Sequence, residues 1–228
     1  MKLIKFRTFW DEDSFNRVKK IIETGEFWCS KLWNQNDPME GVYKNSYFKS
    51  IDIEETFNEK NGYMMCSFSC SNKNDRTEEK GIPEINPIQN PLLWGYYTNG
   101  YKGIAIEIEI DKSKLHEIEY VEEKEFSKNM NGAITIITRK LKNWIHEGEF
   151  RFLKQGVPEG SYSIGKIIKV YFGNPYGETS NYKNIVQNSK SLRTYLQFKE
   201  ELEKVCYKEG FRKENNSKSN LIIWSKES

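Results

Sequence analysis

From Gly103 to Ile110 the chain reads Gly-Ile-Ala-Ile-Glu-Ile-Glu-Ile, an alternation that selects an extended backbone. Side chains along a strand point to opposite faces, so the four isoleucines share one face while Ala105, Glu107 and Glu109 share the other. A strand apolar on one side and polar on the other belongs to a half-buried antiparallel sheet, not to the continuous apolar run of a doubly wound parallel one. Lys2–Phe9, Glu26–Leu32, Tyr63–Ser69, His116–Glu122, Glu149–Leu153, Ile164–Phe172 and Leu221–Trp224 also read as strands. Helices intermix with them without a regular strand-helix-strand beat, which predicts a mixed, mainly antiparallel α+β fold.

Helix signals fall between these strands. Asp13 or Ser14 is expected to cap a helix carrying Phe15, Val18, Ile21 and Ile22 at helical spacing, with Gly25 ending it. Pro91 opens a short helix through Asn99 that Gly100 ends, and Ile51–Asn61 is a further short helix. Ile134, Ile137, Leu141 and Trp144 mark one face of a helix, and Leu192, Tyr195, Leu196, Leu202, Val205 and Cys206 a long one. Asn72–Asn90, with Gly81, Pro83 and Pro87, reads as a mobile loop placed to act as a lid. One domain over residues 1–228 is expected, with the helix and strand of 190–226 packed onto the rest.

Composition excludes more than it selects. With 35 basic and 33 acidic side chains the chain has no global field to recruit nucleic acid or an anionic membrane. No apolar run approaches the roughly 20 residues of a membrane span, and the stretch Met1–Phe6 is too short and charged for a signal peptide, so a cytoplasmic protein without a membrane partner is expected. Cys29, Cys66, Cys70 and Cys206 are irregularly spaced, with only His116 and His146 beside them, which predicts buried free thiols rather than a zinc site or disulfide framework.

Chemistry concentrates in Trp144-Ile145-His146-Glu147-Gly148-Glu149-Phe150-Arg151-Phe152-Leu153. In an extended chain Glu147, Glu149 and Arg151 share one side, about 7 Å apart, and Phe150 and Phe152 the other. Two readings are open: an acid pair and a guanidinium presented to a ligand, or a structural charge ladder. Acids and a base on so central a strand are costly unless something satisfies them. His146 is a general base or an exposed turn histidine, and Arg7 lies on the first strand. Ser67 and Ser69 share a face at the end of another strand. Trp94, Tyr96 and Tyr97 are core or ligand-stacking aromatics, and Tyr43, Tyr47 and Phe48 admit the same two readings.

Asn36-Asp37-Pro38-Met39-Glu40, Cys66–Ser69, Leu92–Tyr97 with Gly103–Glu107, and Trp144–Arg151 follow Lys5-Phe6-Arg7 in order. Together they resemble a widespread bacterial family catalogued as domain of unknown function 2971, over about residues 5–173. Met39 stands where that family more often has an aromatic, and Gly95-Tyr96-Tyr97 where it has His-Tyr-Ala. The family brings no firm activity with it. More distantly, Arg7, Ser67 or Ser69, and Glu147 with Glu149 are similar in order to the ADP-ribosyltransferases of the Arg-Ser-Glu type.

That second resemblance implies an ADP-ribosyltransferase-like split sheet with NAD as substrate and no metal. Arg7, Ser67 and Ser69 would bind it, with Phe68, Trp94, Tyr96 or Tyr97 against the nicotinamide. Glu149 would accept the ribose 2′-hydroxyl and stabilise an oxocarbenium-like state, and Glu147 would orient or deprotonate an acceptor. The acceptor would be protein, nucleic acid or water, in a toxin-like or phage-defence effector. Two other functions stay open on the residues alone. One is a nuclease or phosphodiesterase gathering Mg²⁺ with Asp37, Glu40, Glu147 and Glu149, though no Asp-x-Lys-like catalytic pattern accompanies them. The other is a non-enzymatic nucleotide- or RNA-binding module using Trp94–Tyr97 and the basic stretch Lys190–Lys218.

Overall fold

The computed structural model describes residues 1–34, 55, 58–70, 86–122, 132–175, 189–215 and 221–226. β1 (Lys2–Thr8), α1 (Glu12–Thr24), β2 (Glu26–Cys29) and β3 (Tyr63–Cys70) come first, followed by α2 (Pro91–Thr98) and β4 (Gly103–Glu109). Next are β5 (Leu115–Glu117), β6 (Glu119–Val121), α3 (Ala133–Ile137), β7 (Arg139–Leu141) and β8 (Glu149–Gln155). The chain closes with β9 (Gly160–Ser163), β10 (Lys166–Gly173), α4 (Lys190–Lys208), β11 (Phe211–Lys213) and β12 (Leu221–Lys226). Eight strands form one sheet in the order β11-β12-β10-β4-β1-β3-β8-β5, every neighbouring pair antiparallel. With helices on both faces this is the mixed, mostly antiparallel α+β architecture that the alternation implies. Among the described residues no helix is long and apolar enough to cross a membrane.

Local chemistry accounts for most boundaries. Asp11, rather than Asp13 or Ser14, caps α1: its carboxylate accepts from Ser14 N at 2.7 Å while Ser14 Oγ accepts from Asp11 N at 3.2 Å. Gly25, at φ 70°, closes the helix as expected. Asn90 caps α2, Pro91 takes its first position, and Asn99 in the left-handed region ends it one residue before Gly100. The expected helix through Ile134, Ile137, Leu141 and Trp144 does not form. Ile134-Thr135-Ile136-Ile137-Thr138 is a run of β-branched residues, which lose side-chain freedom in a helix, so α3 stops at Ile137 and β7 begins at Arg139. A 3₁₀ helix, Lys142–Glu147, then leads into β8. His116–Glu122 is likewise two strands, β5 beside β8 and β6 beside β7.

The first face of the sheet, with Leu3, Ile104, Ile106, Ile108, Val170 and Phe172, packs with Phe15, Val18 and Ile22 of α1 and Leu192, Tyr195 and Leu202 of α4. On the second face α2 covers Ile4, Phe6 and Ala105, and α3 covers Tyr63 and Met65. Because β4 is covered on both sides, Glu107 is buried rather than solvated, and the Tyr171 hydroxyl donates to its carboxylate at 2.6 Å.

Among the described strands the sheet carries a register shift in β10 between Ile167 and Lys169 and parts between β1 and β3. β1 pairs with β4 from Lys2 to Thr8 and β3 with β8 from Tyr63 to Ser69. β1 and β3, however, pair only through Leu3 with Cys70 and Ile4 with Ser69. Beyond Ile4 the sheet splits, and there Lys5 Nζ donates to Ser67 O at 2.6 Å. Gly103 holds α2 against this region: a Cβ there would lie 2.3 Å from Arg7 O and 2.7 Å from Thr98 Cβ. Gly103→Ala is therefore expected to lose about 1–3 kcal/mol, or about 2–4 °C of melting temperature per kcal/mol. Gly95→Ala, where nothing lies within 4 Å of the added carbon, should gain about 0.5–1 kcal/mol. Equal melting temperatures for the two variants would refute the close approach.

Candidate functional site

Alternation along β7 turns Arg139 toward Glu119, at 2.7 Å, and Lys140 into the protein. The Lys140 ammonium lies 2.7 Å from Glu147 Oε2 and 2.8 Å from Glu149 Oε2. Arg151 Nε donates to Glu149 Oε1 at 2.7 Å, and Arg151 also donates to Ile137 O. The Tyr97 hydroxyl donates to Glu147 Oε1, and the Tyr120 hydroxyl accepts from Glu149 N at 2.9 Å. Glu147 and Glu149 are each 3% exposed and Arg151 0%.

The two acids do not meet by strand alternation. Glu147 ends the 3₁₀ helix, Gly148 turns the chain at φ 52°, and only Glu149 lies on β8. Asn90 fixes the turn to α2: its Oδ1 accepts from Leu92 N at 3.0 Å and its Nδ2 donates to His146 O at 3.1 Å. Tyr97 on the helix and Glu147 on the turn are thereby held together.

Electrostatics follow from burial and these contacts. Burial pushes the Glu149 carboxyl above the usual range, with Lys140 opposing and the Glu147 charge adding to the rise. Burial alone would lower Lys140, but Glu149 and Glu147 outweigh it and raise its pKa. Tyr97 and Tyr120 are both raised, by burial first and then by Glu147 and Glu149 respectively, so both hydroxyls stay protonated. Lys140 stands where a divalent cation bridging the two acids would have to sit. Among the described residues no three His, Cys, Asp or Glu side chains gather as metal ligands; Asp37 and Glu40 lie outside those residues.

The other half of the site is cationic. Lys5 and Arg7 share a face of β1, and register sends that face opposite to Ile4, Ser69 and Glu149. The split brings the two sides into electrical contact. Lys5, whose Nζ is 5.5 Å from the Phe68 ring centre, has its pKa lowered to about 8 by burial and then by Arg7, against the opposing influence of Cys66 and Glu149. Arg7 is half-buried and its pKa is lowered chiefly by burial, while Cys66, Cys29 and Tyr97 favour its charge. Among the described residues Arg7 has no hydrogen-bond or ion-pair partner. Ser67, also half-buried, lies on the Glu149 side of β3 and favours the charged form of that carboxylate.

Packing places the remaining expected ligand-contact residues. Phe68 is buried against Phe27, ring centres 5.5 Å apart, with Lys5 over it, so its ring is not open to a nicotinamide. Trp94 is 0% exposed between Phe6 and Tyr101, with its indole N–H donating to Ile88 O at 2.8 Å; it is a core residue. Ser69 is buried beside Ile4 and Glu149. Tyr97 brings its hydroxyl to Glu147. Tyr96 is 63% exposed, its ring 6.0 Å from Trp144 and 6.3 Å from His146, an aromatic surface a ligand can reach. His146 Nδ1 lies 3.1 Å from Asn143 O, and burial lowers its pKa. The proposed lid over Asn72–Asn90 lies outside the described residues except for 86–90, and Tyr43, Tyr47 and Phe48 lie outside them entirely.

Sequence reasoning missed Lys140, Tyr120, Asn90 and the part played by Lys5. Lys5 was legible in its two-residue spacing from Arg7, and Asn90 in the Asn-Pro that opens a helix. Lys140 and Tyr120 carried no such signal, because the contact with each acid is made across turns. Among known proteins no family model matches the chain, and no curated protein or solved structure matches it, leaving the resemblances to rest on the sequence blocks.

Lys140→Met leaves two buried carboxylates facing each other and should cost about 3–5 kcal/mol in denaturant unfolding. Adding Glu147→Gln and Glu149→Gln to that variant should recover most of the loss. A second expectation concerns pH. Lys5 keeps its proton to about 10.5 when unfolded but only to about 8 when folded, so the unfolded state binds more protons between those values. Stability should therefore rise with pH in that window. Lys5→Met should flatten this rise, and an unchanged slope would show that Lys5 is not its source.

Proposed function

We propose that the chain consumes NAD, as an ADP-ribosyltransferase or NAD glycohydrolase built on an ADP-ribosyltransferase-like split sheet. The observation that carries this reading is the split between β1 and β3, along which the Arg7 side chain has no partner among the described residues while Ser67 favours the charged form of the Glu149 carboxylate. A half-buried guanidinium with no acceptor among the described residues suits a diphosphate, because its fork of donors matches two anionic oxygens at once and partial exclusion of water strengthens the contact. Lys5 beside it adds a second cation below about pH 8.

In the reaction, the bond between ribose C1′ and the nicotinamide nitrogen breaks and nicotinamide leaves with the electron pair. Positive charge then develops on the ribose. Glu149, paired with Lys140 and Arg151, stabilises that charge in its ionised form. The acceptor, a protein, a nucleic acid or water, adds to C1′ and loses a proton. Glu147 is buried, so a proton reaches it through the half-buried Tyr97 hydroxyl that already donates to it. Exposed Tyr96, with Trp144 and His146 beside it, gives an acceptor a surface to lie on. A toxin or phage-defence effector is the setting this chemistry suggests.

Nicotinamide release from NAD is the assay, run with and without protein and nucleic-acid acceptors. Arg7→Met should raise KM for NAD about tenfold or more, equivalent to about 1.4 kcal/mol, while melting temperature holds or rises because an unpartnered buried charge is removed. Glu149→Gln should lower release per folded molecule by about 10², or about 2.7 kcal/mol, and also lower stability as Arg151 and Lys140 lose their anionic partner. A wild-type protein that releases no nicotinamide with any acceptor would overturn the reading, as would an Arg7→Met variant with unaltered kinetics.

A further inference from the structure

Ser30 and Met65 form an antiparallel bridge between the end of β2 and β3, exchanging Ser30 N to Met65 O at 3.1 Å and Met65 N to Ser30 O at 2.9 Å. In an antiparallel ladder the pair next to such a doubly bonded pair is opposed without backbone bonds, and its Cα atoms approach to about 4.5 Å. Here that neighbouring pair is Cys29 and Cys66. Directly opposed residues project to one face, and both thiols lie in the same buried cluster. That ladder spacing is within the roughly 4.4–6.8 Å that a disulfide spans between Cα atoms. Cys29 Sγ donates to Phe27 O at 3.9 Å, and each of the two thiols shifts the titration of the other. Neither remaining cysteine is opposed to a cysteine by register: Cys70 faces Leu3 across β1, and Cys206 lies on α4.

Cations make the two sulfurs unequal. Burial alone would raise the Cys66 pKa, but the Cys29 hydrogen bond and the charges of Lys5 and Arg7 outweigh it and bring it down. Cys29 is held up as the protonated donor, by the Cys66 hydrogen bond first and then by burial. A thiolate and a thiol on opposed positions of two neighbouring strands are the two participants that disulfide chemistry needs.

We propose that Cys29 and Cys66 form a redox site, a cross-strand dithiol that a hydroperoxide oxidises to an intramolecular disulfide. The Cys66 thiolate sulfur attacks a peroxide oxygen, the O–O bond breaks, and the leaving hydroxide takes up a proton to become water. The Cys29 sulfur, giving up its proton, then displaces the hydroxyl of the Cys66 sulfenic acid as a second water. Two thiols and hydrogen peroxide become one disulfide and two waters. The bond removes the anion facing Lys5 and Arg7. Nothing in this step depends on whether the chain consumes NAD.

The test treats reduced full-length protein with a molar excess of hydrogen peroxide, then unfolds and alkylates it for peptide mass mapping. The expected result is loss of two of the four free thiols, with a cross-linked pair of peptides fragmenting to Cys29 and Cys66. In Cys29→Ser the Cys66 sulfenic acid has no resolving thiol and should be trapped by dimedone, whereas Cys70→Ser should still form the disulfide. Four alkylated thiols after peroxide, oxidation stopping at unlinked sulfinic acids in the wild type, or a disulfide containing Cys70 or Cys206 would each overturn the proposal. The wild-type map decides the matter even if a variant fails to fold.

Discussion

The Lys140 ammonium, between Glu147 Oε2 and Glu149 Oε2, keeps two buried carboxylates from facing each other unscreened. With Arg151 on the far side of Glu149, two cations balance two anions, the condition under which such groups persist in an apolar setting. The cluster links α2 through Tyr97, the strand before α3 through Tyr120, β7 through Lys140 and β8 through Glu149. Desolvation offsets much of what the ion pairs return. What it chiefly provides is therefore arrangement: remove one member and the others are left charged and buried.

The opposite side of the split is not balanced. Lys5 donates to a backbone carbonyl, and Arg7 has no partner among the described residues. A buried cation without an acceptor lowers stability, and proteins keep such groups chiefly where function uses them. The balanced cluster and the unbalanced pair lie on opposite faces of the sheet by register. They influence each other because β1 and β3 part after Ile4.

β3 serves both sides through its own alternation. Ser67 turns toward Glu149, while Cys66, its neighbour in sequence, turns toward Lys5, Arg7 and Cys29. A strand buried at every position but Ser67 and carrying small polar and thiol side chains can place hydroxyl and sulfur chemistry on successive residues.

What could be read directly from the chain were properties that repeat over a few residues: the strand Gly103–Glu109, the apolar stripe of α1 with Gly25 at its end, the long α4, and the Asn-Pro start of α2. They were legible because alternation, helical spacing and capping are set by neighbours along the chain. The failures have equally local causes, such as the β-branched run that stops α3 and the lone αL turn at Gly148 that breaks an apparent Glu-x-Glu strand. Burial of Glu107, closure of Trp94 into the core and the convergence of Lys140 on two acids were decided only by tertiary structure. Each depends on which element covers which face, and a side chain's own neighbours in sequence do not encode what packs against it from a distant strand.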